Sequence, residues 1–217
     1  NYNPVGLYRK TFKVTDDMKA ANGRVYLSFQ GVESSYYVYV NGKEVGYSED
    51  SYSPHSFDIT DYLTTDGSDN LLAVEVHKFC DGTWMEDQDM YYDGGIFRDV
   101  YLYSAPLVHI QDYKVETDLD ENYENATMNL NVTVANASKA AAKGYKVDVR
   151  LYDQDGKMFV NDMTMDLDTV PAADGDTDGS VSAAGSKLVL SPELWSAETP
   201  NLYTMVLSLY DSKTGTY

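Results

Sequence analysis

The sequence predicts an all-β protein built from two β-sandwich domains, and three observations carry this prediction. Hydrophobic and polar residues alternate with a period of two along most of the 217-residue chain. Turn signals such as Asn41-Gly42 and Asp155-Gly156 separate the alternating runs. No stretch combines a sustained apolar stripe with the capping residues of a helix. Because the chain is longer than most single domains, we expect two of them.

The first predicted domain covers residues 1–105 and is an antiparallel β-sandwich. Residues 24–32 show the pattern clearly, since Val25, Leu27 and Phe29 fall on one face. Asn-Gly at positions 41 and 42 is a strong type I′ hairpin signal between two strand-like runs. The predicted strand regions of this half are residues 6–14, 24–32, 35–50, 57–60, 71–79 and 97–105.

The second predicted domain covers residues 106–217 and begins at Pro106, which we interpret as a domain hinge. The spacing of its strands is typical of an immunoglobulin-like sandwich. The Cys…Trp…Cys pattern of antibody domains is absent, so only the architecture is implied. Residues 171–185 are expected to form a polar loop. The predicted strand regions are residues 108–119, 126–138, 143–160, 186–191 and 201–213.

Composition limits the classes of partner. The chain has 16 basic and 35 acidic residues and a net charge of −19, which repels nucleic acid and anionic membranes but not neutral sugars. No run of 18 apolar residues is present. Cys80 is the single cysteine, so an intrachain disulfide is impossible. This is compatible with a cytoplasmic location and does not exclude export.

The residues by themselves do not form a complete catalytic constellation. The three histidines lack metal-ligand spacing, Cys80 has no identifiable partner base, and phosphate-loop and zinc patterns are absent. Asp174, Asp176 and Asp178 match the first half of a calcium loop. The twelfth position of such a loop should be a glutamate and is Gly185 here, which favours a solvated turn.

Residues 79–96 form an acidic and aromatic segment between two predicted strands. Sugar sites use this mixture, because carboxylates accept hydrogen bonds from hydroxyl groups and aromatic rings cover the C–H face of a pyranose. An ordinary acidic surface loop is the alternative that composition favours. The residues that carry the mixture are Trp84, Glu86, Asp87, Asp89, Tyr91 and Tyr92.

Several motifs make the sequence similar to glycoside hydrolase family 2, and within it to the bacterial β-galactosidases that cleave lactose. DG-x-x-x-EDQD followed by GIFRDV is the most specific string, whereas VNG-x-x-VGYSEDS followed by FDIT is shared with β-glucuronidases and β-mannosidases. The segments that carry the resemblance are residues 3–12, 31–60, 71–102 and 194–209.

The resemblance implies a domain order. It assigns residues 1–105 to a jelly-roll sugar-binding domain without its first strands, and residues 106–217 to an immunoglobulin-like domain without its last strand. A TIM barrel follows in the family and carries two catalytic glutamates of a retaining mechanism. The chain is therefore expected to be a non-catalytic fragment of a β-galactosidase. A stand-alone carbohydrate-binding or scaffold module, or a fragment of a β-glucuronidase or β-mannosidase, is the alternative.

The resemblance also implies site residues. Asn3 and Asp89 correspond to residues that bind galactosyl hydroxyls, and Asp89 to a sodium ligand that acts only together with the barrel. Trp84, Asp87 and Tyr91 are candidates for the pocket rim, although the family pattern has tryptophan where this chain has Tyr91. No catalytic residue and no cofactor is assigned to the chain alone. Sodium, magnesium and a homo-oligomeric assembly are implied for the whole enzyme.

Overall fold

The computed structural model describes residues 2–20, 23–64, 66–86, 89, 91–175 and 177–217, with backbone alone at residues 19 and 20. It is almost entirely β, which confirms the predicted fold class. The chain divides into two compact units, one ending at Pro106 and the other beginning at Leu107.

The first unit contains nine strands within its described residues. They are β1 (Val5–Phe12), β2 (Arg24–Phe29), β3 (Val32–Glu33), β4 (Ser35–Val40), β5 (Lys43–Ser48), β6 (His55–Asp58), β7 (Asn70–His77), β8 (Gly95–Ile96) and β9 (Val100–Ala105).

These strands form an antiparallel sandwich. One sheet has the order β1-β7-β4-β5, the other has the order β6-β2-β9, and β3 pairs with β8. The alternation predicted for β2 is confirmed, since Val25, Leu27 and Phe29 are all buried. They pack with Tyr36 and Val38 of β4 in a single hydrophobic core. The core therefore holds the two sheets together through the faces that the sequence pattern identifies.

The β4–β5 turn has the backbone conformation that its sequence predicts. Asn41 and Gly42 have φ values of 53° and 79°, and positive φ at both positions is what a type I′ turn requires. The side-chain amide of Asn41 donates to Asn70 Oδ1 at 2.8 Å, and its oxygen accepts from the Leu71 N–H at 2.9 Å. These bonds attach the turn to β7.

One short helix departs from the all-strand prediction. Helix α1 (Asp16–Ala20) lies between β1 and β2, with two aspartates in its first turn that favour the positive end of the helix dipole. Thr15 Oγ1 accepts a hydrogen bond from the Met18 N–H at 3.4 Å. A helix of one turn leaves no periodic pattern in the sequence. Among the described residues, no helix has both the length and the hydrophobicity that crossing a membrane would require.

The second unit contains six strands within its described residues. They are β10 (Val108–Leu119), β11 (Asn125–Asn136), β12 (Tyr145–Tyr152), β13 (Met158–Asp166), β14 (Gly179–Leu190) and β15 (Thr204–Asp211).

The six strands form the predicted immunoglobulin-like sandwich. The two sheets have the orders β10-β11-β14 and β13-β12-β15. Val132 and Val134 of β11 and Val147 and Val149 of β12 are buried together between them. The hydrophobic face of each sheet thus supplies the core of this unit.

The polar loop predicted for residues 171–185 is wrong in its second half, because β14 already begins at Gly179. The prediction failed because the inner face of this strand carries small residues and lacks a hydrophobic alternation. A Cβ atom at Gly185 would lie 2.7 Å from Met163 Cε and 3.0 Å from Met165 Sδ. The methionines of the opposite sheet thus fill the space that larger side chains occupy in other strands.

A buried asparagine organises the connections at one end of the second unit. Asn136 is fully buried, and its Nδ2 donates to the carbonyl oxygens of Ala140 and Pro171 at 2.8 and 2.9 Å. Its Oδ1 accepts from the Ser138 N–H at 2.9 Å and from the Ser138 hydroxyl at 2.6 Å. One side chain therefore satisfies polar groups of two separate connecting segments.

We expect Asn136→Ala to lower the free energy of unfolding of the second unit by about 2–4 kcal/mol, because several buried polar groups lose their partners. Denaturant unfolding followed by a probe in this unit measures the change. Asn131→Ala is the matched control, since Asn131 is an exposed residue of the same strand and should change the stability by less than about 0.5 kcal/mol. Equal losses in the two variants would contradict the prediction.

Candidate functional site

The acidic loop, residues 79–94, connects β7 to β8 and contains most of the sugar-site candidates. It is longer than an ordinary hairpin connection. Its two ends are fixed to the first sandwich by side-chain hydrogen bonds, whereas Trp84, Glu86, Asp89 and Tyr91 are exposed. The anchoring side chains, Asn3, Glu33 and Ser34, are far from the loop in sequence.

Asn3 holds the beginning of the loop. Its Nδ2 donates to the Phe79 carbonyl oxygen at 2.8 Å, and its Oδ1 accepts from the Phe79 N–H at 3.0 Å. The Lys78 N–H donates to the Pro4 carbonyl oxygen at 3.0 Å, just beyond the Val5–His77 pair of the β1–β7 ladder. Pro4 has no N–H to donate. The side-chain carboxamide of Asn3 therefore makes the next two hydrogen bonds to the segment that follows β7, where backbone groups would otherwise pair.

The carboxamide of Asn3 keeps capacity for another partner. An asparagine side chain has two N–H donors and two acceptor lone pairs, and Phe79 uses one of each. The side chain is exposed. Asn3 can therefore hold the loop and contact a ligand at the same time.

A second set of bonds fixes the first turn of the loop. The Ser34 hydroxyl donates to the Lys78 carbonyl oxygen at 2.7 Å and lies 3.1 Å from Thr83 Oγ1. Thr83 Oγ1 also accepts from the Cys80 N–H at 3.0 Å. Ser34 is buried, so these bonds are shielded from water and tie a short 3₁₀ turn, Gly82–Trp84, to the core.

Two glycines and a glutamate hold the end of the loop. Gly94 and Gly95 have φ values of 79° and 93°, a region that side-chain-bearing residues rarely adopt. A Cβ atom at Gly95 would also lie 2.8 Å from the hydroxyl of Tyr8. The Gly94 N–H donates to Glu33 Oε2 at 2.9 Å. The loop thus reverses at a glycine pair whose position is set by β3.

The middle of the loop presents the remaining candidates to solvent. Asp89 is exposed at a bend in the chain. Trp84 and Tyr91 are 85% and 93% exposed, so neither ring belongs to the core of the unit. Both rings are therefore accessible to a ligand. Asp87, the third predicted rim residue, lies outside the described residues.

The structure therefore puts Asn3 at the base of the loop and Asp89, Trp84 and Tyr91 in its exposed part. Sequence reasoning missed the buried anchors Glu33 and Ser34. A signal was available, because three consecutive polar residues, Glu33, Ser34 and Ser35, lie between Val32 and the strand-like run that begins at Tyr36.

One cluster of side chains in the described part of the chain has the spacing of metal ligands. The ligand atoms of Glu49, Cys80 and Asp81 lie within 4.8 Å of one another, and this is the one group of three or more acidic, histidine or cysteine ligands there. Glu49 already accepts from the Tyr47 hydroxyl at 2.7 Å. Burial, followed by this hydrogen bond, raises the pKa of Tyr47 to about 12. Asp89 does not belong to the group and offers a single exposed carboxylate.

We expect Asn3→Ala to loosen the beginning of the acidic loop. Hydrogen exchange of the Phe79 amide should become faster by about fivefold, because a bond of about 1 kcal/mol is lost. Asn122→Ala, at an exposed turn residue of the second unit, is the control and should leave that amide unchanged. Unaltered exchange in Asn3→Ala would show that the ladder holds without the side chain.

The sequences of both units match models of one protein family. Residues 1–106 match the sugar-binding domain of the glycosyl hydrolases family 2, and residues 108–216 match a second domain described as glycosyl hydrolases family 2. The chain is 44% identical over 208 residues to a β-galactosidase of Priestia megaterium, covering 96% of this chain and 19% of that enzyme. It is 42% identical over 222 residues to a β-galactosidase of Clostridium acetobutylicum, covering 99% of this chain and 21% of that enzyme.

Solved structures agree with the family. A β-glucuronidase of Bacteroides uniformis superposes with a TM-score of 0.83 at 28% identity, covering 99% of this chain and 25% of that one. A putative β-galactosidase from Bacteroides fragilis, at 24% identity, shares the fold with a TM-score of 0.80, covering 97% of this chain and 31% of that one. The chain spans about a fifth of the length of the curated relatives it matches. With both of its units matched along their length, the chain belongs to the glycosyl hydrolases family 2.

Proposed function

We propose that the chain is the sugar-binding and spacer part of a β-galactosidase that hydrolyses terminal β-galactosides. The identities of 44% and 42% to two bacterial β-galactosidases support this substrate class. The chain covers about a fifth of those enzymes, so the catalytic groups belong to a different part of the whole protein. On this proposal, the chain by itself does not hydrolyse glycosides.

The observation that carries the proposal is the exposed Asp89 on a loop that is anchored at both ends. A carboxylate accepts hydrogen bonds from two neighbouring hydroxyl groups of a sugar. In a water-excluded pocket, each such bond contributes about 1.5–3 kcal/mol. Asp89 can gain this contribution only when another surface covers the loop, because in this chain the residue faces solvent.

Asn3, Trp84 and Tyr91 extend the proposed sugar-binding wall. The free N–H and lone pair of the Asn3 carboxamide suit a hydroxyl group, which is both donor and acceptor. The exposed rings of Trp84 and Tyr91 suit the C–H face of a pyranose. A neutral galactoside is also compatible with the net charge of −19, whereas an anionic ligand is opposed by it.

Sodium, magnesium and homo-oligomeric assembly are proposed only for the whole enzyme. Asp89 would supply one carboxylate oxygen to a sodium ion, and the remaining ligands would come from outside this chain. Magnesium is proposed without a ligand from this chain. Homo-oligomeric assembly is proposed for the whole enzyme, and nucleic acid and membranes are not proposed as partners.

We expect the purified 217-residue chain to release no nitrophenol from a nitrophenyl β-galactoside. The physical reason is that the proposed wall binds sugar hydroxyls but supplies no acid/base and nucleophile pair across the glycosidic bond. Absorbance of nitrophenolate measures the rate, with the whole enzyme as the positive control. Turnover that copurifies with the chain would refute its non-catalytic role.

In the whole enzyme, we expect Asp89→Ala to lower kcat/KM for a nitrophenyl β-galactoside by about 10- to 100-fold, which corresponds to the loss of one or two charge-assisted bonds. Asp93→Ala is the matched control, because Asp93 is an exposed aspartate of the same loop. It removes the same charge and should change the rate less than about threefold. Similar rates for both variants would remove Asp89 from the site.

A second candidate is that the whole protein is a β-glucuronidase, which the TM-score of 0.83 to the Bacteroides uniformis enzyme favours. Rates on nitrophenyl β-galactoside and nitrophenyl β-glucuronide separate the two. A stand-alone binding module is a third reading, and calorimetry of this chain with galactose tests it. We expect binding weaker than about 1 mM, because a half-open site buries few hydroxyl groups, and tighter binding would favour the module.

A further inference from the structure

Glu33 is a buried carboxylate that contributes to no ion pair recorded among the described residues. It is 5% exposed and lies at the end of β3, where it pairs with Gly95. Its Oε2 accepts the hydrogen bond from the Gly94 N–H. Its Oε1 is shielded from solvent and has no hydrogen-bond partner in the part of the chain that the structure describes.

The hydrogen bonds of Glu33 offset only part of the desolvation cost of its burial, because one of its two carboxylate oxygens has no partner among the described residues. Burying a carboxylate is unfavourable unless its oxygens find partners. Tyr52 senses this carboxylate, because its pKa is raised by desolvation and then by the charge of Glu33. A side-chain hydrogen-bond interaction with Glu33 contributes to the same rise, but its geometry leaves Oε1 without a full hydrogen bond.

The bond to Gly94 explains what the buried carboxylate contributes. Gly94 and Gly95 are the two residues of the loop exit with positive φ, and glycine has the least backbone restriction of any residue. Gly95 is held by its ladder pairing with Glu33, and the Glu33 carboxylate extends this attachment by one residue to the Gly94 N–H. At the other end, Asn3 and the β1–β7 ladder already fix Phe79.

We propose that Glu33 is a positioning residue that holds the exit of the acidic loop through the Gly94 amide and thereby fixes where Asp89 is presented to the sugar. This inference rests on the proposed function. Glu33 is not a catalytic residue, since it lies inside the first sandwich and acts through the loop. The role requires an acceptor oxygen within reach of the Gly94 N–H, which Oε2 provides at 2.9 Å.

The first test measures the anchor in the 217-residue chain. Hydrogen exchange of the Gly94 amide should become faster by about tenfold in Glu33→Ala. Glu33→Gln keeps an acceptor of the same length and should retain most of the protection. Glu33→Asp keeps the charge but is one methylene shorter, and it should lose protection like the alanine variant. Glu44→Ala, at an exposed glutamate of β5, is the control for charge.

Unchanged Gly94 exchange in Glu33→Ala would overturn the anchor. The same conclusion would follow if Glu33→Asp retained protection and Glu33→Gln lost it, because the charge rather than the reach of the acceptor would then matter. If Glu33→Ala does not fold, the comparison of the glutamine and aspartate variants still decides between these outcomes.

The second test measures the consequence in the whole enzyme with a nitrophenyl β-galactoside. Glu33→Ala should raise KM as well as lower kcat, in the same pattern as Asp89→Ala, with about a tenfold loss of kcat/KM that Glu33→Gln largely restores. A variant that merely unfolds in part would lower the apparent kcat and leave KM unchanged, and that result would overturn the positioning role.

The two proposals can fail separately. If Asp89→Ala lowers kcat/KM but Glu33→Ala behaves like Glu44→Ala, the positioning role is overturned and the proposed function stands. If Asp89→Ala itself has no effect, Asp89 is removed from the proposed site, whereas the proposed function fails only if the whole enzyme does not hydrolyse the β-galactoside. The Gly94 exchange then decides whether Glu33 anchors the loop at all.

Discussion

The attachment of the acidic loop at both ends is the constraint on which the proposed site depends. The loop begins where Asn3 bonds both backbone groups of Phe79, and it ends where Glu33 bonds the Gly94 amide. Asn3 supplies hydrogen bonds beside Pro4, which has no backbone N–H. Glu33 supplies a hydrogen bond at Gly94, where the chain reverses with positive φ. Fixing the ends removes much of the conformational freedom that a connection of this length would keep.

The first sandwich can impose this constraint because its core is rigid. The rings of Phe29, Tyr36 and Phe57 contact one another with centroids 4.9 to 6.0 Å apart, and their burial leaves the sheets little room to shift. Trp84 and Tyr91 contrast with these rings because they lie on the loop in solvent. A rigid scaffold that carries exposed polar and aromatic side chains on a connection is the usual arrangement of binding sites.

The second unit is self-contained and shows how a sandwich of the same class can be filled differently. Small residues of β14 face Met163 and Met165, and flexible methionine side chains fit the irregular space that results. Asn136 replaces hydrophobic contact by a buried hydrogen-bond network at one end of the core. Both features stabilise the unit from within.

The sequence by itself determined the two sandwiches, most strand positions and the Asn41-Gly42 turn, because period-two alternation and φ preferences are local properties. Its motifs also predicted Asn3 and Asp89 as sugar-binding residues, which stays a prediction. Only the tertiary structure decided that residues 179–185 form a strand, since the methionines that accommodate these small residues come from another sheet. It alone also brought Glu33 to Gly94, which is 61 residues further along the chain. A hydrogen bond between such distant positions depends on how the strands pair, and no local pattern encodes that pairing.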